Sequence, residues 1–230
     1  MEENLKRPGG ALASRPLHFF WVVDCSGSMH GDKIQSLNYA IRQTIPDMKS
    51  AAEENPNAQL LIRTLKFSTG AQWITPEPVT MDNFFWEDLE AYGVTTMGAA
   101  FDMIADELQM PPMSERALPP VIVLLSDGQP TDSYKESLMK LLSSPWGKKA
   151  VKIAISIGQD ADDEVLTEFT GNRELVLQAN NPQVLVKMIK WASTVAKQVS
   201  APSSNPAVST AAVIDTNNIP VASEEDGDVW

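Results

Sequence analysis

The chain has 230 residues, a formal net charge of −12, and 43% hydrophobic and 21% charged residues. That is the size of one large domain, or one domain with a tail, and it holds enough apolar surface for a sizeable core. The acidic balance excludes a nucleic-acid binder, because phosphate contacts need clustered Lys and Arg, and it suits a protein that attracts cations or meets basic partners. A single Cys excludes an intrachain disulfide framework and points to a reducing cytoplasm.

Residues 1–16 read as an N-terminal extension that mixes basic residues with Glu2 and Glu3. The apolar run Leu17–Val23 is too short to span a membrane and lacks the small-residue cleavage site of a signal peptide. The expectation is therefore a cytoplasmic protein with no membrane contact. The same run is rich in aromatic and β-branched residues and stops at Asp24, as a strand buried on both faces of a parallel sheet would. Ile34, Leu37, Ile41, Ile45 and Met48 recur at helical spacing through about Ala52. The Asp24–Ser28 loop between them predicts a helix that begins after Ser28.

Gln59–Ser68 reads as a second strand, and Ala71–Thr75 as a short antiparallel strand turned back across Thr69-Gly70 and ended by Pro76 and Pro78. Met97, Phe101, Ile104 and Leu108 predict a helix stopped by Pro111-Pro112. Pro120–Ser126 is a second buried strand, ending on Asp127-Gly128. Ser133–Leu142 reads as a helix, Val151–Ile157 as a strand, Asp162–Phe169 as a short helix capped by Gly171, and Glu174–Gln178 as a last strand. Val184, Leu185, Met188, Ile189, Ala192, Val195 and Val199 mark a final amphipathic helix. The alternation predicts an α/β fold: a doubly wound, Rossmann-like, mostly parallel sheet flanked by helices, with an antiparallel edge strand. Residues 200–230 lose all periodicity. They carry Asp215, Glu224, Glu225, Asp226 and Asp228 without Lys or Arg, as a solubilising tail does. A docking role for the tail, including an approach of its carboxylates to the chain's own site, is the functional alternative.

Three loops carry hard oxygen donors. Asp24, Ser26 and Ser28 follow the first buried strand, Asp127 follows the Pro120–Ser126 strand, and Thr95 precedes the helix at Met97. In an open parallel sheet, ligands bind beyond the carboxyl ends of the strands where the winding reverses. If the first strand and the Pro120–Ser126 strand are neighbours there, Asp24 and Asp127 converge. Two carboxylates with hydroxyls, and no His or Cys among them, select Mg²⁺ or Mn²⁺. Each piece also has a plain reading: Ser28 and Thr95 as helix N-caps, Asp127-Gly128 as a turn. It is their joint occurrence, in order after the right strands, that favours the metal site.

Asp24-x-Ser26-x-Ser28, Thr95 three residues before Gly98, and Asp127 in Leu125-Ser126-Asp127-Gly128 resemble the metal-ion-dependent adhesion site of von Willebrand factor A (vWA) domains. The resemblance covers roughly residues 17–199. It implies direct metal contacts from Ser26, Ser28 and Thr95, often water-mediated ones from Asp24 and Asp127, and a partner protein that donates a Glu or Asp to the ion. Thr96 is the competing hydroxyl, but the Thr-x-x-Gly spacing favours Thr95. Asp127–Asp132 (DGQPTD) and Gly98–Phe101 (GAAF) are similar to the bacterial TerY-like branch, associated with tellurite resistance and stress. Its gene clusters also hold a Ser/Thr kinase and a protein phosphatase 2C, which implies a scaffold or regulator. Cys25 departs from the family pattern and reads as a packed small side chain, with redox sensing as the alternative.

His18 and His30 lack partners at ligand spacing and read as structural. Asp160, Asp162 and Asp163 read as helix-start charges. Met29, His30, Met97, Gln129 and Pro130 are candidates for the rim around the metal, and Trp73, Trp86 and Trp146 for either anchors or core. No P-loop motif is present. A haloacid-dehalogenase-type phosphohydrolase would need a second Asp where Ser26 stands. A metal-free adaptor would not need the five ligands. The expectation is a non-enzymatic binding module.

Overall fold

The computed structural model describes residues 14–54, 58–159, 161–200 and 218–220. Among these, strands and helices alternate: β1 (Arg15–Asp24), α1 (Asp32–Glu53), β2 (Ala58–Ser68), β3 (Gly70–Trp73), β4 (Val79–Thr80), α2 (Met97–Glu107), β5 (Val121–Ser126), α3 (Tyr134–Ser143), β6 (Val151–Ile157), α4 (Asp163–Thr170), β7 (Val176–Ala179) and α5 (Pro182–Ser200). The sheet runs β3-β2-β1-β5-β6-β7, with β4 also paired to β2. Strands β2, β1, β5, β6 and β7 are parallel, while β3 and β4 run antiparallel along the flank of β2. This is the doubly wound, mostly parallel sheet that the alternation predicts, and β1 and β5 are the neighbours at its switch point.

The pleat explains why β1 is apolar from Phe19 to Val23. Phe19, Trp21 and Val23 enter the core on the α1 and α5 side, and Phe20 and Val22 enter the core under α2, α3 and α4. Every residue of β5 is buried as well. Burying one such side chain stabilises by about 1.5–3 kcal/mol, so a polar residue within this stretch would be costly. On β1, β5 and β6 the fully buried polar residues stand at or next to the C-terminal ends of the strands, at Asp24, Ser126 and Ser156.

Three local expectations are corrected. Helix α1 does not begin after Ser28: a 3-10 turn over Gly27–Met29 intervenes, Gly31 (φ 82°) turns the chain, and α1 starts at Asp32. Asp32 lies in the first turn, so the positive end of α1 already has a carboxylate of its own. Beyond Pro78 the chain makes one more short pairing, Val79 with Ile62 and Thr80 with Leu61. The last strand begins at Val176, because Arg173–Leu175 form a 3-10 turn capped by the Asn172 side chain. Asp160 and the acidic tail residues Asp215, Glu224, Glu225, Asp226 and Asp228 lie outside the described residues. Among the described residues, no helix is long and apolar enough to cross a membrane.

Candidate metal centre

Asp24 closes β1 and is fully buried. Its Oδ1 accepts the Ser26 backbone N–H at 2.8 Å and its Oδ2 accepts the Ser126 hydroxyl at 2.5 Å. Burial pushes its carboxyl up from 3.8 to about 6. Bonds from Ser126 and Ser26 oppose that shift, and the negative charge of Asp127 adds to it. Ser26 and Ser28 bring their hydroxyl oxygens to 3.1 Å of each other, Ser26 buried and Ser28 exposed.

Asp127 is equally buried, and neither of its carboxylate oxygens has a hydrogen-bond partner. The bonds around it bypass the side chain: Gly128 N–H donates to Ser126 Oγ at 2.9 Å, and Asp162 N–H donates to the Asp127 carbonyl at 2.7 Å. An isolated buried carboxylate costs far more than one such bond returns, unless a cation compensates it.

Thr95 arrives on a long irregular stretch between the 3-10 turn Met81–Asn83 and α2. Asn38 of α1 anchors this stretch. Its Nδ2 donates to the Leu89 carbonyl at 2.9 Å, and its Oδ1 accepts Leu89 N–H at 2.9 Å and Trp86 Nε1–H at 3.1 Å. Next, Tyr92 N–H donates to the Cys25 carbonyl at 2.7 Å and Gly27 N–H to the Gly93 carbonyl at 3.0 Å, fastening the stretch to the Asp24–Ser28 loop. Gly93 has φ +79°, and a Cβ there would meet Thr69 Oγ1 at 2.4 Å, so only glycine makes this approach. Thr131 holds Thr95 on the other side: Thr131 Oγ1 accepts Thr95 N–H at 3.1 Å and Thr131 N–H donates to the Thr95 carbonyl at 2.8 Å.

The Thr95 side chain is buried, whereas Thr96 spends its hydroxyl on the backbone, donating to the Ser68 carbonyl and accepting from Gly70 N–H, both at 2.8 Å. Asp132 caps α2 from outside, accepting Gly98 N–H at 3.1 Å and Ala99 N–H at 3.3 Å. A Cβ on Gly98 would sit 2.9 Å from Asp132 Oδ2, which explains the glycine three residues after Thr95. Asn38, Ser126, Thr131 and Asp132 escaped the sequence reading as positioning residues. Ser126, Thr131 and Asp132 left a signal, as members of the Leu125–Gly128 and DGQPTD segments, and Asn38 left none.

The rim expectation is corrected in part. Met29 and Met97 are fully buried in the two cores and cannot meet a partner. His30 and Gln129 are exposed and Pro130 half-buried, and the exposed Tyr92 and Val94 join them beside Gly93. Of the tryptophans, Trp146 is buried, Trp86 is bonded to Asn38, and Trp73 lies under the Arg63 guanidinium at 3.7 Å from its ring centroid. Cys25 is buried, and its thiol is pushed up to about 12 by burial and by Asp24. His18 is half-buried and lowered to about 4, first by desolvation and then by Arg63, so it is neutral, and it stacks on Phe20. Asp162 caps α4 through Glu164 N–H and Val165 N–H, as a helix-start charge does.

Among the described residues, no group of three or more His, Cys, Asp or Glu side chains is placed to hold a metal ion. The donors at the strand ends are two carboxylates and a set of hydroxyls, one carboxylate with both oxygens free. That set fits a hard divalent ion and fits neither a thiolate nor an imidazole site.

No curated protein matches the sequence. Among solved structures, the fold is similar to the pilus adhesin SpaC of Lactobacillus rhamnosus GG in its open conformation (TM-score 0.64, 12% identity, 81% of this chain and 30% of that one). It is similar to VWA2, the ArnB paralog of Sulfolobus acidocaldarius (TM-score 0.57, 19% identity, 77% and 45%). It is also similar to proximal thread matrix protein 1 of the mussel byssus, described with a zinc-occupied MIDAS motif (TM-score 0.56, 17% identity, 81% and 46%). The match therefore spans less than half the length of each of these structures. At such identities the likeness establishes the fold. The von Willebrand factor type A domain model matches residues 20–198, most of the sequence, and the chain therefore belongs to the vWA domain family.

Proposed function

We propose that the chain is a non-enzymatic protein-binding module in which Asp24, Ser26, Ser28, Thr95 and Asp127 hold Mg²⁺ or Mn²⁺. The observation that carries this reading is Asp127, a buried carboxylate with both oxygens unpaired at the end of β5. Such a bound ion supplies a Lewis-acid centre with an exchangeable position, which a Glu or Asp of a partner protein fills. The chain's own residues prepare that position. Ser126 and the Ser26 amide fix both oxygens of Asp24, Ser26 and Ser28 present paired hydroxyls, and Thr131 holds Thr95 by its backbone. Ser26 stands where a haloacid-dehalogenase-type enzyme needs its second aspartic acid, which argues against phosphoester cleavage by that mechanism.

The similarity of Asp127–Asp132 and Gly98–Phe101 to the TerY-like branch supports reading this module as part of a bacterial cytoplasmic stress or signalling system, as a scaffold or regulator that meets a Ser/Thr kinase or a protein phosphatase 2C. The test is affinity purification from the native cell with wild type and Asp24→Ala, each with and without chelator. The expected result is a kinase or phosphatase recovered by wild type in Mg²⁺ and lost in the other three samples. Equal recovery in all four overturns the metal-bridged reading, and a metal-dependent partner of another class overturns the signalling assignment alone.

A further inference from the structure

The sheet ends at β7, which pairs with β6 on one side and, among the described residues, with no strand on the other. A free strand edge of this kind presents unpaired backbone groups and invites association. Beside it lies a groove of 340 Å³ whose walls include Val176, Leu177 and Gln178 of β7 and Met188 of α5. The chain leaves α5 at Ser200 and is again against the domain at Asn218. Ile219 and Pro220 are half-buried and line the same groove, with Ile219 packed on the core cluster that contains Leu177 and Met188.

We propose that the Ile219-Pro220 segment is a plug that docks in cis into the β7–α5 groove and covers the free edge of the sheet. Its chemistry suits the place. The branched apolar side chain lies beside Val176, Leu177 and Met188 in a groove that Asp163, Arg173, Glu174 and Gln178 also line, and the following proline has no N–H to extend pairing along the edge. One partly exposed isoleucine is a small anchor, but the tether makes docking intramolecular and supplies a high effective concentration. The plug is thereby stable enough to shield β7 in the isolated chain and weak enough to yield to a partner segment of the same kind, an extended apolar peptide ending in proline. This inference stands apart from the metal site, because none of its residues is among the five proposed ligands.

The experiment is amide hydrogen exchange on the full chain, comparing wild type, Ile219→Asp, and Val208→Asp as a control elsewhere in the tail. In Ile219→Asp, exchange at residues 176–179 is expected to rise at least several-fold while β1 and β5 keep wild-type protection, and Val208→Asp matches wild type throughout. Adding a synthetic peptide of residues 214–223 to Ile219→Asp restores protection at β7, and the same peptide carrying Asp at position 219 does not. Unchanged β7 exchange in Ile219→Asp overturns the proposal. So does an equal rise in Val208→Asp, or a failure of the native peptide to restore protection at millimolar concentration.

Discussion

Asp127 and Asp163 lie near the C-terminal ends of neighbouring strands, β5 and β6, and the protein treats them in opposite ways. Asp163 is fully engaged: Ser156 Oγ donates to its Oδ1 at 2.8 Å, Gln178 Nε2 donates to its Oδ2 at 2.5 Å, and Arg173 stands 3.6 Å from Oδ2. Asp127 is more deeply buried, yet no side chain or amide meets either oxygen. A carboxylate satisfied by its own fold helps to hold that fold. One that is buried and left unsatisfied costs stability, and that cost is offset only by something bound from outside. Under the proposed function, the contrast sets an acid that serves the fold beside one that serves the ion, without reference to any relative.

The largest effect should come from setting the two aspartates against each other. Asp127→Asn is expected to weaken Mg²⁺ binding by more than about 100-fold, beyond the usual cost of losing a merely supporting partner of a metal ligand. It should leave the metal-free domain as stable as wild type or more so, because an uncompensated charge is removed. Asp163→Asn should do the reverse, costing about 1–3 kcal/mol by unpairing its donors while Mg²⁺ affinity stays within about 2-fold. Calorimetric titration and thermal unfolding of the two variants check both halves. Equal losses of Mg²⁺ affinity would erase the distinction.

A smaller effect is expected from the clasp between the β5 loop and α2. Asp132 accepts the amides of Gly98 and Ala99, so Asp132→Ala removes a helix cap worth about 0.5–2 kcal/mol. The freed N-terminus of α2 loosens Thr95, and Mg²⁺ affinity should fall by about 10-fold, as for other residues that orient a ligand. A variant that loses stability but keeps full affinity would show that Thr95 is held without this clasp.

The regular elements and the irregular stretch before Thr95 were unequally legible in the sequence. The strand run from Leu17 to Val23 declared itself because both faces of β1 are buried, and Asp24, Ser26 and Ser28 followed it in plain view. The helices at Ile34, Met97 and Val184 showed their apolar spacing for the same reason. The stretch that delivers Thr95 did not, because its conformation is set by Asn38, far away in sequence, and not by local periodicity. Met29 and Met97 were read as rim because they neighbour ligands in sequence; the 3-10 turn and the first turn of α2 point them into the core instead. The pairing state of the two acids was invisible as well: the sequence marks Asp127 as a turn or ligand and Asp163 as a helix-start charge, but the donors that meet Asp163, Ser156 and Gln178, come from other elements.

The next effect concerns pH. Asp24 titrates at 3.8 in the unfolded chain and about 6 in the folded one. Below pH 3.8 both states hold the proton and the group is neutral in the balance. Between 3.8 and about 6 the folded state holds it more tightly, so metal-free stability falls as pH rises, and above 6 that loss is complete. Mg²⁺ needs the ionised form. The thermal stabilisation given by Mg²⁺ should therefore be largest above pH 7 and shrink as pH falls through about 6. A constant increment between pH 5 and 8 would remove Asp24 from the binding equilibrium.

The smallest effect is expected at Cys25, which lies between Asp24 and Ser26 in sequence but points into the core that also holds Met29 and Leu37. Burial and the neighbouring Asp24 push its thiol to about 12, so the reactive thiolate is scarce at pH 8, and the sulfur is also shielded from reagent. Iodoacetamide at pH 8 should therefore leave the native protein unmodified over hours, with or without Mg²⁺, and alkylate it fully in guanidinium, as intact mass reads directly. Rapid native alkylation would place a reactive thiol next to the hydroxyl donors and revive a redox role for this position. The expected inertness instead assigns Cys25 to the apolar side of the Asp24–Ser28 loop, where it helps to pin the loop that carries the proposed ligands Ser26 and Ser28.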